Sequence, residues 1–493
     1  MGKIKIGWSE VSITPDKKTS LAGQFFERIS EYVETPITVT AMAVESEENQ
    51  MIICSCDLVG IASNLMRTVR ERLKDSTEIN PDSIIITATH SHTSIKYSRI
   101  ADVELDCSLD ILTDLMPKNK KYVELVNTTE DVMQGEEALY FIADKITEAI
   151  KKAWENRDYA MFSNQFGRAA VGMCRRVCYN DGSAKMWGDT NTATFTELES
   201  GNDSGIELIY TFDENKRLTG VVANIACPSQ VVEQRSFISS DYWGKVKIIL
   251  REKFGEELFV LCLCAPAGDQ CPRDLVRWIK PETPIDDPNV IREKVLPRKA
   301  DPSMYDIKGT WKIGKRIARE IIDVYEEIEA SDIQSEGVFE HKTFKLDLPV
   351  RRVTPSEYEN AVKVVKEYFD SVETINFADN AAMFVYAGTI SRFQKQEEYN
   401  MYPIEIHIAR LGNIAFATNP FELFLNYGNQ IRARSKAHQT FLLQLACGED
   451  GYLPTERAEK GSHYSAYVSS GVTGHEGGDI LVRKTLEEIN KMF

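Results

Sequence analysis

Two histidines one residue apart, His90 and His92, follow the run Ile84-Ile85-Ile86-Thr87-Ala88-Thr89. The run reads as a buried β-strand, and on a strand residues i and i+2 share one face. Such a strand end offers two imidazoles to one metal, or one to a metal and one to a substrate. The plainer alternative is a pair of strand-end histidines bonded to backbone. The 493-residue chain has seven histidines, so two side by side after a core strand favour function over chance.

A His-x-His strand end also fits a (β/α)8 barrel of the amidohydrolase type. That fold needs further histidines at later strand ends and a late aspartate. Here His341 and His407 lie inside β-patterned segments, and His438, His463 and His475 fall in loops or after a helix. The barrel is therefore the weaker reading.

Five further segments carry a family resemblance once they are read with His90-Ser91-His92. Val11-Ser12-Ile13-Thr14-Pro15 opens the chain, and Ile238-Ser239-Ser240-Asp241-Tyr242-Trp243-Gly244 and Gly268-Asp269-Gln270-Cys271-Pro272 lie midway. Asn419-Pro420-Phe421-Glu422 and Gly451-Tyr452-Leu453-Pro454-Thr455 come late. In this order they resemble the neutral/alkaline ceramidase family along most of the chain, as a divergent member. The resemblance implies an α/β fold of stacked mixed β-sheets flanked by helices, forming one catalytic domain over 1–493. It implies that the immunoglobulin-like C-terminal domain of true ceramidases is absent.

The resemblance also implies a site. His90, Glu422 and Tyr452 would bind one Zn2+ per chain, and His92 would face the substrate. Two positions depart from the family pattern, both as cysteine. Cys227 stands where the second zinc histidine is expected, and Cys271 where the family has its essential serine. A thiolate is a good zinc ligand, and a small thiol is also a common buried residue. Both readings of Cys227 stay open, with His463 as a remote substitute ligand. Cys271 reads first as a polar site residue, and Asp269 and Asp241 as carboxylates supporting the catalytic groups. Cys174-Arg175-Arg176-Val177 resembles the family's arginine segment. Adjacent strand residues face opposite ways, so one arginine, with Arg175 preferred to Arg176, would reach the substrate. Tyr464 lies in a late loop that would also contact substrate.

The implied reaction is hydrolysis of a C–N amide bond through a zinc-activated water. A metal-assisted isomerase or epimerase of a sugar acid, or a binding protein without catalysis, are the rivals.

The bulk properties restrict the partners. With 75 acidic against 58 basic residues the net charge is −17, which repels nucleic acid and anionic lipid surfaces. No apolar run approaches the roughly 18 residues of a spanning helix, and the first residues lack a secretory h-region. The expectation is a cytoplasmic protein with a small-molecule substrate, no nucleic acid and no stable membrane association. Homo-oligomerisation is left open. The ten cysteines are dispersed and read as reduced thiols, with Cys54, Cys56, Cys262 and Cys264 in core strands.

Short apolar β-runs alternate with amphipathic helical patterns, as a layered α/β chain requires. The pattern predicts paired strands at 38–44 and 51–56, helices at 61–73 and 134–154, and a strand at 258–264. It also predicts a helix over 422–433. Two polar stretches, 99–129 and 272–306, read as insertions.

Overall fold

The computed structural model describes residues 2–24, 27–99, 115–120, 122–123, 131–279, 299–300, 306–373 and 375–493. Most of the two predicted insertions lies outside them.

Alternation of side chains builds the first sheet. Its strands are β1 (Gly2–Ser12), β2 (Thr38–Glu45), β3 (Gln50–Cys56), β4 (Ile84–Ala88), β5 (Asp158–Arg168), β6 (Gly205–Asp213), β7 (Leu218–Ile225) and β8 (Phe259–Cys264). They are ordered β8-β7-β6-β5-β1-β2-β3-β4. Neighbours are antiparallel except at the two parallel pairs, β3 with β4 and β7 with β8. Gly2–Ser12, unassigned in the sequence, takes a middle place.

On β3 and β4, Ile52, Cys54, Cys56, Ile84 and Ile86 face one way, into a core shared with helices α1 (Ser63–Leu73) and α2 (Gly135–Glu155). Met51, Ile53 and Ile85 face the other way, as a period of two demands. Along the same helical face, β6, β7 and β8 pack on α3 (Asp241–Phe254) and α4 (Asp306–Glu326).

A second sheet covers the remaining face. It is formed by β9 (Phe339–Pro349), β10 (Met401–Leu411), β11 (Ile414–Thr418) and, beyond the two-residue strand β12 (Glu422–Leu423), β13 (Gln439–Leu443). Leu411, Ile414, Phe416, Phe441 and Leu443 meet Ile6, Trp8, Ile53 and Leu261 between the sheets. The outer face of this sheet is closed by α7 (Leu425–Arg434) and α8 (His475–Met492). The order of layers is helix, sheet, sheet, helix, the stacked arrangement that the resemblance implies. The nine described cysteines are free thiols and eight of them are buried.

One expectation is corrected, and one helix had none. Residues 422–424 are not helical: Glu422 lies in β12, whose parallel partner is β14 (Tyr452–Leu453), and α7 starts at Leu425. An unassigned helix, α6 (Phe377–Lys395), lies between α5 (Pro355–Ser371) and β10. Its apolar residues are spread around the helix, so no amphipathic period marks it.

Candidate active site

The site collects at the carboxyl ends of the parallel strands, where open α/β sheets place their ligands. Beyond β4 the chain turns sharply, and His90 takes a left-handed φ of 62°. Non-glycine residues adopt that region at a cost, and it concentrates at functional positions. The His90 ring is buried and its Nδ1 lies 2.5 Å from the Val59 carbonyl oxygen. An N–H at Nδ1 donating to that oxygen leaves Nε2 as the lone-pair atom. Nε2 stands 3.3 Å from Glu422 Oε2 and 3.3 Å from His92 Nε2.

Glu422 and Tyr452 are direct partners across β12 and β14. Gly268 holds this pair from below: its N–H donates to the Leu423 carbonyl at 2.9 Å, and a Cβ there would lie 2.2 Å from the Glu422 carbonyl oxygen. Burial opposes charge on His90 and on Glu422. Their mutual attraction outweighs it, raising the His90 pKa and lowering that of Glu422.

His92 has the opposite character. Burial first, then His90, Arg28 and Arg175, pushes its pKa well below the ordinary value, so the ring is neutral. Its Nδ1 faces Glu233 Oε2 at 3.5 Å, and its carbonyl accepts from Arg28 at 2.8 Å. Gly23, at φ 93°, presses on the ring: a Cβ would sit 2.6 Å from His92 Cγ. Arg28, Glu233, Gly23 and Val59 carry no signal in one sequence. Only folding brings them to the histidines.

His90, His92, Glu422, Tyr452 and Tyr464 line one cavity of about 400 Å3. Tyr464 Oη lies 3.2 Å from Tyr452 Oη. Arg99, Arg392, Glu449 and Asp450 add charge to the lining, which also holds Val59, Ala62, Phe384 and Val472. Arg99 pairs with Glu449 at 2.7 Å, and Tyr402 donates to Asp450 at 2.7 Å.

Arg175 sits immediately behind Tyr452 and Glu422. Its Nη2 is 3.0 Å from the Gly268 carbonyl oxygen, 3.3 Å from Tyr452 Oη and 3.8 Å from Glu422 Oε2, and its Nη1 donates to Gln230 at 3.2 Å. It braces two site residues and does not line the cavity. Arg176 points elsewhere, fully buried against Glu199 at 2.5 Å and donating to the carbonyls of Ala458, Ser462 and Tyr464.

The other expected residues do not reach the cavity wall. Cys227 is packed among Val171, Ile225 and Tyr242, its Sγ 3.5 Å from the Val171 carbonyl oxygen. Among the described residues it forms no three-ligand cluster with His90 and Glu422. Cys271 bonds within its own turn, to Arg273 O at 3.2 Å, and burial raises its thiol to about 12. A thiol so protonated is a poor nucleophile.

Asp269 accepts from the Leu425 N–H at 2.9 Å and so caps α7 just beyond Glu422. Asp241 accepts from the Val232 and Tyr242 N–H groups at the start of α3, and burial raises its pKa to about 7. These contacts stabilise turns. His463 accepts from the Met186 N–H at 3.2 Å, which turns its Nδ1 to another use.

No family model and no curated protein sequence matches the chain. Solved structures do. A structure described as ceramidase complexed with C2 aligns with a TM-score of 0.67 and 13% identity, over 100% of this chain and 75% of that one. The neutral ceramidase of Pseudomonas aeruginosa aligns with a TM-score of 0.66 and 15% identity, over the same shares. At such identity the likeness is one of fold, and the fold of this chain is similar to that of the neutral ceramidases.

Proposed function

We propose that the chain is a metal-dependent hydrolase that opens a C–N amide bond in a small polar substrate. The observation that carries this reading is the convergence of His90, Glu422 and Tyr452 on one wall of a cavity that His92 also lines. The donor set suits a zinc ion. His90 Nε2 and Glu422 Oε2 stand 3.3 Å apart, close to the spacing of two ligands on one tetrahedral centre. The Val59 carbonyl fixes the imidazole tautomer that such a ligand needs. His90, Glu422 and Tyr452 would hold the ion, without Cys227. When bound, zinc polarises a carbonyl and makes water more acidic.

The protein's own groups supply the rest. Neutral His92 can take a proton from water and return it to the leaving nitrogen. Glu233, 3.5 Å behind Nδ1, stabilises the ring once it is charged. Arg175 holds Tyr452 and Glu422 in place from behind. The charged part of the lining, Arg99, Arg392, Glu449 and Asp450 beside the apolar Val59, Ala62, Phe384 and Val472, is costly to cover with hydrocarbon. It favours a compact polar amide over a long-chain lipid.

The test is a panel of N-acyl amino acids and N-acyl amino sugars, with ceramide in detergent for comparison, on protein purified without chelators. Chelation should abolish amine release and zinc should restore it. His92→Ala should retain zinc while lowering kcat about 100-fold or more, and His90→Ala should lose the metal. Activity indifferent to chelation, or metal-loaded protein that cleaves no amide, overturns the reading.

A further inference from the structure

The closest group of metal-ligating side chains among the described residues lies outside the cavity. One ligand atom each of Glu405, His407 and Cys447 falls within 4.8 Å of the other two, and none of the three lines the cavity beside His90. Glu405 and His407 are i and i+2 on β10 and share a face. Cys447 arrives from the segment after β13, anchored by its N–H to the Ile86 carbonyl at 2.8 Å. We propose that Glu405, His407 and Cys447 form a second, structural site for a zinc-class divalent ion.

The distances fit a modest adjustment. His407 Nε2 lies 2.8 Å from Glu405 Oε1 and 3.6 Å from Cys447 Sγ. Bonds of about 2.0–2.3 Å in a tetrahedral shell separate ligands by about 3.3–3.6 Å, so the imidazole–thiol pair already fits and the imidazole–carboxylate pair must open slightly.

The supporting contacts are those a metal ligand needs. His407 Nδ1 is 3.0 Å from His341 Nε2 and 3.1 Å from Thr343 Oγ1, so it has acceptors for a proton while Nε2 binds. Arg70 reaches both carboxylate oxygens, at 2.8 and 2.6 Å, and fixes the Glu405 orientation from outside. On binding, the His407 proton moves from Nε2 to Nδ1, and one proton leaves the Cys447 thiol for solvent. The Glu405 and Arg70 side chains keep 19% and 23% of their exposure, which leaves a path for an ion.

A purely hydrogen-bonded network would explain Arg70, Glu405 and His407. Cys447 packs at the edge of two apolar clusters, and that packing does not require its sulfur to face the His407 ring. A thiol contributes a weak hydrogen bond at best, yet the Cys447 Sγ stands 3.6 Å from His407 Nε2, beside the carboxylate of Glu405, where one ion could reach all three.

The proposal is independent of the hydrolase reading, and so is its test. The holoprotein is reloaded with Co2+ and its near-ultraviolet spectrum recorded. His90, Glu422 and Tyr452 offer no thiol, so a thiolate-to-cobalt band reports on Cys447. The wild type and His90→Ala should both show the band. Cys447→Ser should lose it together with one equivalent of bound metal. His407→Gln, which keeps the thiol, should weaken zinc binding at least tenfold while retaining a native far-ultraviolet spectrum. Absence of the band in the wild type, its persistence in Cys447→Ser, or unchanged zinc affinity in His407→Gln each overturns the proposal.

Discussion

His90 and His92 are chemically the same side chain and are tuned apart by what touches each ring. Val59 and Glu422 favour a bound cation at His90, while burial among cations keeps His92 neutral. Cys227 shows the same rule in the negative. Its type and register permit a ligand, but its thiol faces Val171 and Ile225 in an apolar core. Cys227→Ser should therefore leave metal content unchanged and lower stability by about 1 kcal/mol, since a small hydroxyl replaces a small thiol in apolar surroundings. Cys227→His, the residue that the resemblance places there, should lower stability further by overpacking without adding a ligand. Metal analysis beside urea unfolding separates these outcomes; loss of zinc in Cys227→Ser would return the residue to the ligand set.

At the scale of elements, two-residue strands position the site. Glu422 and Tyr452 face each other because β12 and β14 pair in parallel. That pairing depends on Gly268 beneath Glu422 and on Asp269 at the start of α7. Gly268→Ala places a methyl 2.2 Å from a backbone oxygen, which the strand must move to admit. The expected outcome is a folded protein with zinc affinity reduced at least tenfold; unchanged affinity would show that the Glu422 segment tolerates displacement. Asp269→Ala removes one helix-capping bond and should cost about 1 kcal/mol, with a thermal shift as the readout. Neither strand was legible in the sequence, because two residues carry no period. The helix read over 422–433 begins three residues late because Asp269, distant in sequence, supplies the cap at Leu425.

For the molecule as a whole, the layers are joined by buried charge as well as by apolar side chains. Glu10 on β1 receives Lys247 at 2.9 Å and Arg251 at 3.0 Å from α3. Burial works to raise the Glu10 pKa, but the two cations outweigh it and hold it at about 2. Because the folded value lies below the unfolded one, this contribution is present above about pH 4.5 and is lost as pH falls towards 2. It amounts to roughly 3 kcal/mol. Glu10→Gln should be destabilised by at least that much at pH 7, since Lys247 is left buried without its partner. The gap to wild type should close as the pH is lowered, measured by urea midpoints from pH 7 to pH 3. A pH-independent gap would mean that Glu10 acts through packing alone.

The apolar runs at β2, β3, β4 and β8, interspersed with the helical patterns at α1 and α2, determine by themselves that the chain is a layered α/β protein. The strand end at His90 and His92, with Glu422 and Tyr452 in their motifs, determines where its chemistry should be sought. These features are local: a period of two, an apolar run, a residue type at a fixed spacing. The tertiary structure alone decided which of the matching residues converge. Arg175 and Arg176 are neighbours in sequence, yet one braces Tyr452 and the other is spent on Glu199. Cys447, His407 and Glu405 carry no motif and meet because a loop after one strand folds against the middle of another. Side-chain direction and the partners of buried polar groups are set by packing between segments hundreds of residues apart, and no local pattern encodes them.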